Sequence, residues 1–236
     1  VTINHPNPIF AWIGFDWTTD DYDALEVYNG SAGYDQSDHD AFLSLLCDLS
    51  LGRHVAAIGG SDNHRVNIVP PGDTTNPPLG LPETWVLSDS LEWGAIIEAM
   101  EAHRIVISDS GRPLVLTVHD DEGDFVGLVG DEVPSGPSWL RVTGSSNGAD
   151  GTRQLVIVEV APDRCVDTRE AGSTDAPEPE FTFVLDRQIE PDEDFEFATR
   201  VELKPGHHYL AWLRPERRTV VDKFGTGMTS ALRVAP

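Results

Sequence analysis

The sequence predicts an α/β segment followed by an all-β one. Up to residue 108, short apolar runs alternate with amphipathic helical patterns, the rhythm of parallel strands joined by helices. From residue 109, seven short apolar runs follow with no convincing helix among them. Turn-rich stretches such as Asp120-Asp121-Glu122-Gly123 and 145–151 separate those runs, the pattern of a β-sandwich or similar unit. The chain therefore divides into residues 1–108 and 109–236.

In the first part, residues 1–4, 25–28, 55–58, 84–87 and 105–108 are expected as short buried strands. A helix is expected over 38–51, because Phe42, Leu45, Leu46 and Leu49 share one face and Gly52 supplies a stop. A second is expected over 90–103, with Ser90 as cap and Trp93, Ile96, Ile97 and Met100 as its apolar face. In the second part, strands are expected at 114–118, 140–143, 154–160, 181–185, 195–203, 209–213 and 230–234. The acidic, Pro-containing stretch 166–180 is expected as a loop.

Composition bounds the function. Thirty-nine percent apolar residues, with six Trp and nine Phe, suffice for a packed core. A net charge of -24 repels phosphate backbones, so nucleic acid is not an expected partner. No run approaches the roughly 18 apolar residues of a membrane helix, and Val1-Thr2-Ile3-Asn4 has no signal-peptide pattern. Strong acidity with only two Lys, Lys204 and Lys223, is compatible with export. Two Cys are too few for a disulfide scaffold, and Cys47, on an apolar helical face, is expected as a buried free thiol.

Chemistry-bearing residues gather after three of the expected strands: Asn4-His5-Pro6, Glu26-Val27-Tyr28-Asn29-Gly30, and Gly59-Gly60-Ser61-Asp62-Asn63-His64. In α/β barrels such strand ends carry the site. Asp62 and His64, two residues apart, can reach neighbouring positions of one metal site, and mixed His and carboxylate donors suit Zn, Mn or Fe. Gly59 and Gly60 are expected to let the backbone turn tightly beneath it. Elsewhere, His39 and His54 are expected at the surface or as caps, and His103 as a cation at a helix end. Trp12, Phe15 and Trp17 are expected in the core, and Arg214, Arg217 and Arg218 as a small basic patch.

Taken in order, Ile-Asn-His-Pro, Glu-Val-Tyr-Asn-Gly, Gly-Gly-Ser-Asp-Asn-His, Leu-Gly-Leu-Pro-Glu-Thr-Trp-Val and Ile-Val-Ile-Ser resemble the polymerase and histidinol phosphatase (PHP) superfamily of metallohydrolases. The CehA/McbA-like branch is the most similar, over about residues 1–112. The resemblance implies a distorted (β/α) barrel, here partial and lacking its N-terminal strands, holding two or three divalent ions. It implies His5, Asp62 and His64 as metal ligands, Glu26 and Asn29 as supporting residues, and Ser61 and Thr84 on the substrate side. The implied activity is phosphoester hydrolysis of a small molecule, with carbamate or amide hydrolysis as the alternative. The family's His-x-His motif does not occur before His5. The expected partner is therefore an N-terminal segment of the same protein that carries it. The other expectation open from the residues is a non-catalytic binding module.

Overall fold

The computed structural model describes residues 1–6, 21–30, 34–63, 80–109, 112–149, 151–167, 169, 176–215 and 226–236. Three strands, β1 (Thr2–Ile3), β2 (Ala24–Asn29) and β3 (Ala56–Gly60), form a parallel sheet in that order. Helix α1 (Gln36–Ser50) lies between β2 and β3 in the chain. Its Phe42, Leu45, Leu46 and Leu49 are buried with Leu25, Val27 and Ala57 of the sheet and with Val55 just before β3. The Asp35 carboxylate accepts the N–H groups of Ser37 and Asp38, and Asp38 returns the bond to Asp35, a reciprocal cap. Gly52, at φ 78°, takes the left-handed conformation that ends the helix.

The next two strands leave the parallel pattern. Strands β4 (Glu83–Val86) and β5 (Ile105–Ser108) pair antiparallel, with α2 (Trp93–Glu101) between them in sequence. Strand β5 then pairs with β14 (Gly227–Thr229), near the other end of the chain. Through β14 the ladder continues to β13 (His208–Pro215), β10 (Arg153–Val166) and β11 (Glu178–Ile189). Strand β15 (Leu232–Val234) pairs with β13 and, in parallel, with β8 (Glu132–Val133). One eight-stranded sheet thus draws strands from both sides of residue 108.

The remaining strands, β6 (Val115–His119), β7 (Phe125–Leu128), β9 (Gly136–Ser145) and β12 (Asp194–Leu203), make a four-stranded antiparallel sheet in the order β12-β9-β6-β7. Its Leu116, Val118, Leu140 and Val142 share a core with Leu155, Ile157, Ala211 and Leu213 of the larger sheet. The opposite face of β10 presents Val156, Val158 and Val160 to the core around α1. Burial on both faces explains why β10 is a nearly unbroken apolar run rather than an alternating one.

These findings correct the expected fold class. Among the described residues there are fifteen strands and only two helices, and no α/β barrel. The strand–helix rhythm is genuine, but only β1, β2 and β3 run parallel, and β4 and β5 are captured by the β-rich sheet. Helix α2 does not cover the sheet as a barrel helix would. Trp93 is 76 % exposed and Met100 44 %, and only Ala99 is buried. Its cap also differs: Glu92 occupies the N-cap without a side-chain bond, and the Ser90 hydroxyl accepts the Glu92 N–H at 3.3 Å. Strands β7, β8 and β14 were not expected; each is four residues or fewer, too short to show a period.

Cysteine usage is corrected too. Cys47 on α1 and Cys165 on β10 form a disulfide. The apolar helical face that made Cys47 look like a buried thiol is the face that meets β10. His39 is buried beside Trp212, with ring centroids 6.1 Å apart, rather than at the surface. His54 stacks on His103 at 4.3 Å. Burial lowers the affinity of His103 for a proton, which works against the expected cation, and Asp23 partly opposes this. The Thr226 backbone exchanges two bonds with Asp109: its N–H reaches the carboxylate at 2.6 Å and its carbonyl accepts the Asp109 N–H at 3.1 Å. Trp12, Phe15, Trp17, Arg217 and Arg218 lie outside the described residues.

Candidate functional site

Parallel strands place their C-terminal ends on one side of the sheet, so the residues after β1, β2 and β3 gather there. Glu26, inside β2, is the centre of this cluster. Its carboxylate accepts the backbone N–H of His5 at 2.7 Å and the side-chain amide of Asn29 at 3.4 Å. Burial pushes the Glu26 carboxyl above the usual carboxylate range. The two bonds and the nearby His5 side chain oppose that shift, and the negative charge of Asp62 adds to it. Glu26 is therefore a buried acid flanked by an imidazole and a second carboxylate.

Two strained residues frame it. His5, just past β1, has φ 34°, and Asp62, just past β3, has φ 46°. Neither is glycine, and a left-handed backbone costs such residues on the order of 1–3 kcal/mol each. Strain of this kind concentrates at sites where function needs a fixed geometry. The glycines before Asp62 act differently from the expected tight turn. Gly59 and Gly60 are strand residues, neither at positive φ. They allow close approach instead: a Cβ on Gly60 would stand 2.9 Å from the Glu26 Oε1, and one on Gly59 would stand 2.8 Å from Ile107. The turn itself falls on Asp62.

Asn29 has two duties. Its side chain bonds Glu26, and its N–H donates to Asp38 at 2.8 Å, tying the end of β2 to the start of α1. The Thr84 hydroxyl accepts the Gly59 N–H at 3.0 Å and donates to the Gly59 carbonyl at 2.7 Å. It thereby links β3 to β4, which share no backbone ladder. Ser61 is half-buried beside Asp62. His64 lies outside the described residues.

Below the cluster, an apolar groove of about 710 Å³ runs between the sheet and α2. Ala24, Ala56 and Ile58 line one side, and Val86, Ile97 and Ile105 the other. Val1 and Thr2 lie at its margin, where β1 forms the outer strand of the parallel sheet. Of the expected apolar face of α2, Ile97 and Met100 line this groove, a role that periodicity alone does not distinguish from core packing.

The donor chemistry of His5, Glu26 and Asp62 suits a divalent metal. They do not make a complete site, however: among the described residues no group of three or more His, Cys, Asp or Glu could hold an ion. No described helix is long and apolar enough to cross a membrane. Neither the family models nor the curated proteins compared with this chain match it.

Proposed function

We propose that this chain supplies part of the site of a metal-dependent hydrolase acting on a small phosphoester, with carbamate or amide substrates as the alternative. The observation that carries the proposal is the convergence of His5 and Asp62, both on strained backbone, around the buried Glu26 at the ends of three parallel strands. His5, Asp62 and His64 would hold the ions, and two or three of them would supply an activated water and charge neutralisation. Glu26 orients the His5 segment through its N–H bond, and Asn29 steadies Glu26. The low-dielectric setting that raises the Glu26 affinity for a proton also suits it to hold one during reaction.

The remaining donors would come from a segment carrying His-x-His. The apolar groove beside the outer strand β1 supports that reading, because a parallel sheet is ordinarily covered on both faces. The test is elemental analysis with intact-mass spectrometry of the same sample, followed by p-nitrophenyl phosphate hydrolysis with and without chelator. Two or three ions per chain and chelator-sensitive turnover, lost in Asp62→Asn, are expected. Metal-free protein that gains no activity with Zn, Mn or Fe, in the presence of the His-x-His segment, overturns the proposal.

A second reading has one observation in its favour. Glu26 is already committed to the N–H of His5, so the cluster serves a structural purpose without any ion. The chain would then be a non-catalytic binding module, and His5→Ala would leave its binding unchanged.

A further inference from the structure

We infer that the stacked imidazoles of His54 and His103, together with His208, form an acid-sensitive latch that holds the C-terminal turn of α2 and thereby one wall of the apolar groove. The three residues come from separate parts of the fold. His54 lies between α1 and β3, His103 follows α2, and His208 opens β13. His103 also lines the groove, with Ile97 and Met100 of α2.

Helix α2 depends on that turn. Along the helix only Ala99, near its C-terminal end, is buried. The turn itself is closely held. A Cβ on Gly130 would stand 2.2 Å from the Ala102 carbonyl oxygen and 2.6 Å from the His103 carbonyl carbon. The Arg104 guanidinium donates to Asp131 at 2.9 Å. The His103 ring lies on the His54 ring, with centroids 4.3 Å apart. His103 also has φ 57°, a left-handed conformation that persists only while surrounding contacts impose it.

Protonation works against these contacts. An imidazolium donates from both nitrogens, yet the Nδ1 atoms of His103 and His208 are buried with no hydrogen-bond partner among the described residues. Charge on both stacked rings would also set like charges face to face. At His54, burial, His103 and Arg233 of β15 oppose a proton, and Glu132 of β8 favours one. At His103, burial opposes a proton and Asp23, just before β2, favours one. At His208, burial, His54, Arg233 and His207 all oppose one. The remaining charges nearby are engaged: Asp23 with the Val1 amino group, Glu132 with Arg233, Arg104 with Asp131, and Arg53 with Asp48. Glu101, the last residue of α2, is exposed at the groove.

The lowered proton affinity belongs to the closed turn, and the rings regain the ordinary value of 6.5 once it opens. The latch is therefore fully set above 6.5 and is released as pH falls toward about 4, the value of His54 and His208. Because α2 buries so little, it opens before the sheets do. The device is independent of the hydrolase reading.

The test is backbone deuterium exchange of the full chain by mass spectrometry at about pH 7.5 and about pH 4.5, with labelling times scaled to the intrinsic rates. Peptides covering α2 and its turn should lose protection by at least about tenfold in acid, while β10 and β13 keep theirs. His54→Phe with His103→Phe retains two stacked rings without titrating nitrogens and should keep α2 protected at both pH values. Far-UV circular dichroism confirms folding. If that pair does not fold, His54→Gln carries the test and should reduce the pH dependence of α2 exchange by about one proton. Unchanged protection of α2 in acid overturns the inference. So does loss of protection in all elements together, or an acid response that these variants leave intact.

Discussion

The Glu26 carboxylate accepts the backbone N–H of His5 at 2.7 Å, so a buried acid within β2 fixes the strained turn after β1. Because burial raises its affinity for a proton, ionised Glu26 disfavours the folded chain. Its favourable contribution is present below the ordinary value of 4.5 and is lost as pH rises through the shifted one. Glu26→Gln, which retains an acceptor for His5, should therefore raise the unfolding free energy at pH 7 in chelator by about 1 kcal/mol. With saturating Zn or Mn the order should reverse. Urea titration measures both, and a loss in chelator would show that the charged acceptor outweighs its desolvation.

Histidines predict a separate acid response. His54 and His208 are both pushed down to about 4, chiefly by burial, with His103 and Arg233 adding to this at His54, and His54, Arg233 and His207 at His208. Glu132 partly opposes this at His54. A depressed folded value means stability is fully present above the ordinary 6.5 and is lost as pH falls toward 4, where only the unfolded chain takes up protons. His208→Gln should flatten the dependence of unfolding free energy on pH across that window by about one proton, or roughly 1.4 kcal/mol per pH unit. An unchanged slope would place the acid response elsewhere.

The disulfide joins residues 118 apart in sequence. On a chain-entropy account, closing such a span stabilises the fold by about 4–5 kcal/mol. Cys47→Ser with Cys165→Ser should lower the unfolding free energy by that order, and reductant should do the same to the native chain. Bonds of this kind persist in oxidising compartments. Calorimetry with and without reductant provides the check.

Asp48 is fully buried and binds the Arg169 guanidinium at 2.7 Å, Arg53 at 3.1 Å and the Tyr22 hydroxyl. Arg169 is itself fully buried, held also by Asp167. Asp48→Leu removes the shared acceptor and should cost about 3 kcal/mol in chemical denaturation. Retained stability would mean that water replaces the carboxylate.

The sequence showed local order and obscured partnership. The β2 and α1 patterns were legible because Leu25 and Val27, and Phe42 through Leu49, each repeat with the period of their own element. The gathering of His5, Glu26 and Asp62 was legible because His5 and Asp62 follow, and Glu26 lies within, strands of one parallel sheet. Nothing local in Ile105–Ser108 indicates that β5 pairs with Gly227–Thr229, since that choice is set by shape complementarity across more than a hundred residues. Cys47 shows the same gap: an apolar helical face is visible, but not the β10 surface that covers it.

Strand β10, buried on both sides, also has a consequence for synthesis. Phe42 and its neighbours on α1 share a core with Val156, Val158 and Val160, which leave the ribosome more than a hundred residues later. Until then α1 carries an uncovered apolar surface, and the native contact cannot form as the chain emerges. Folding must wait for distant sequence, a high-contact-order route that leaves the nascent chain dependent on holding factors or on speed.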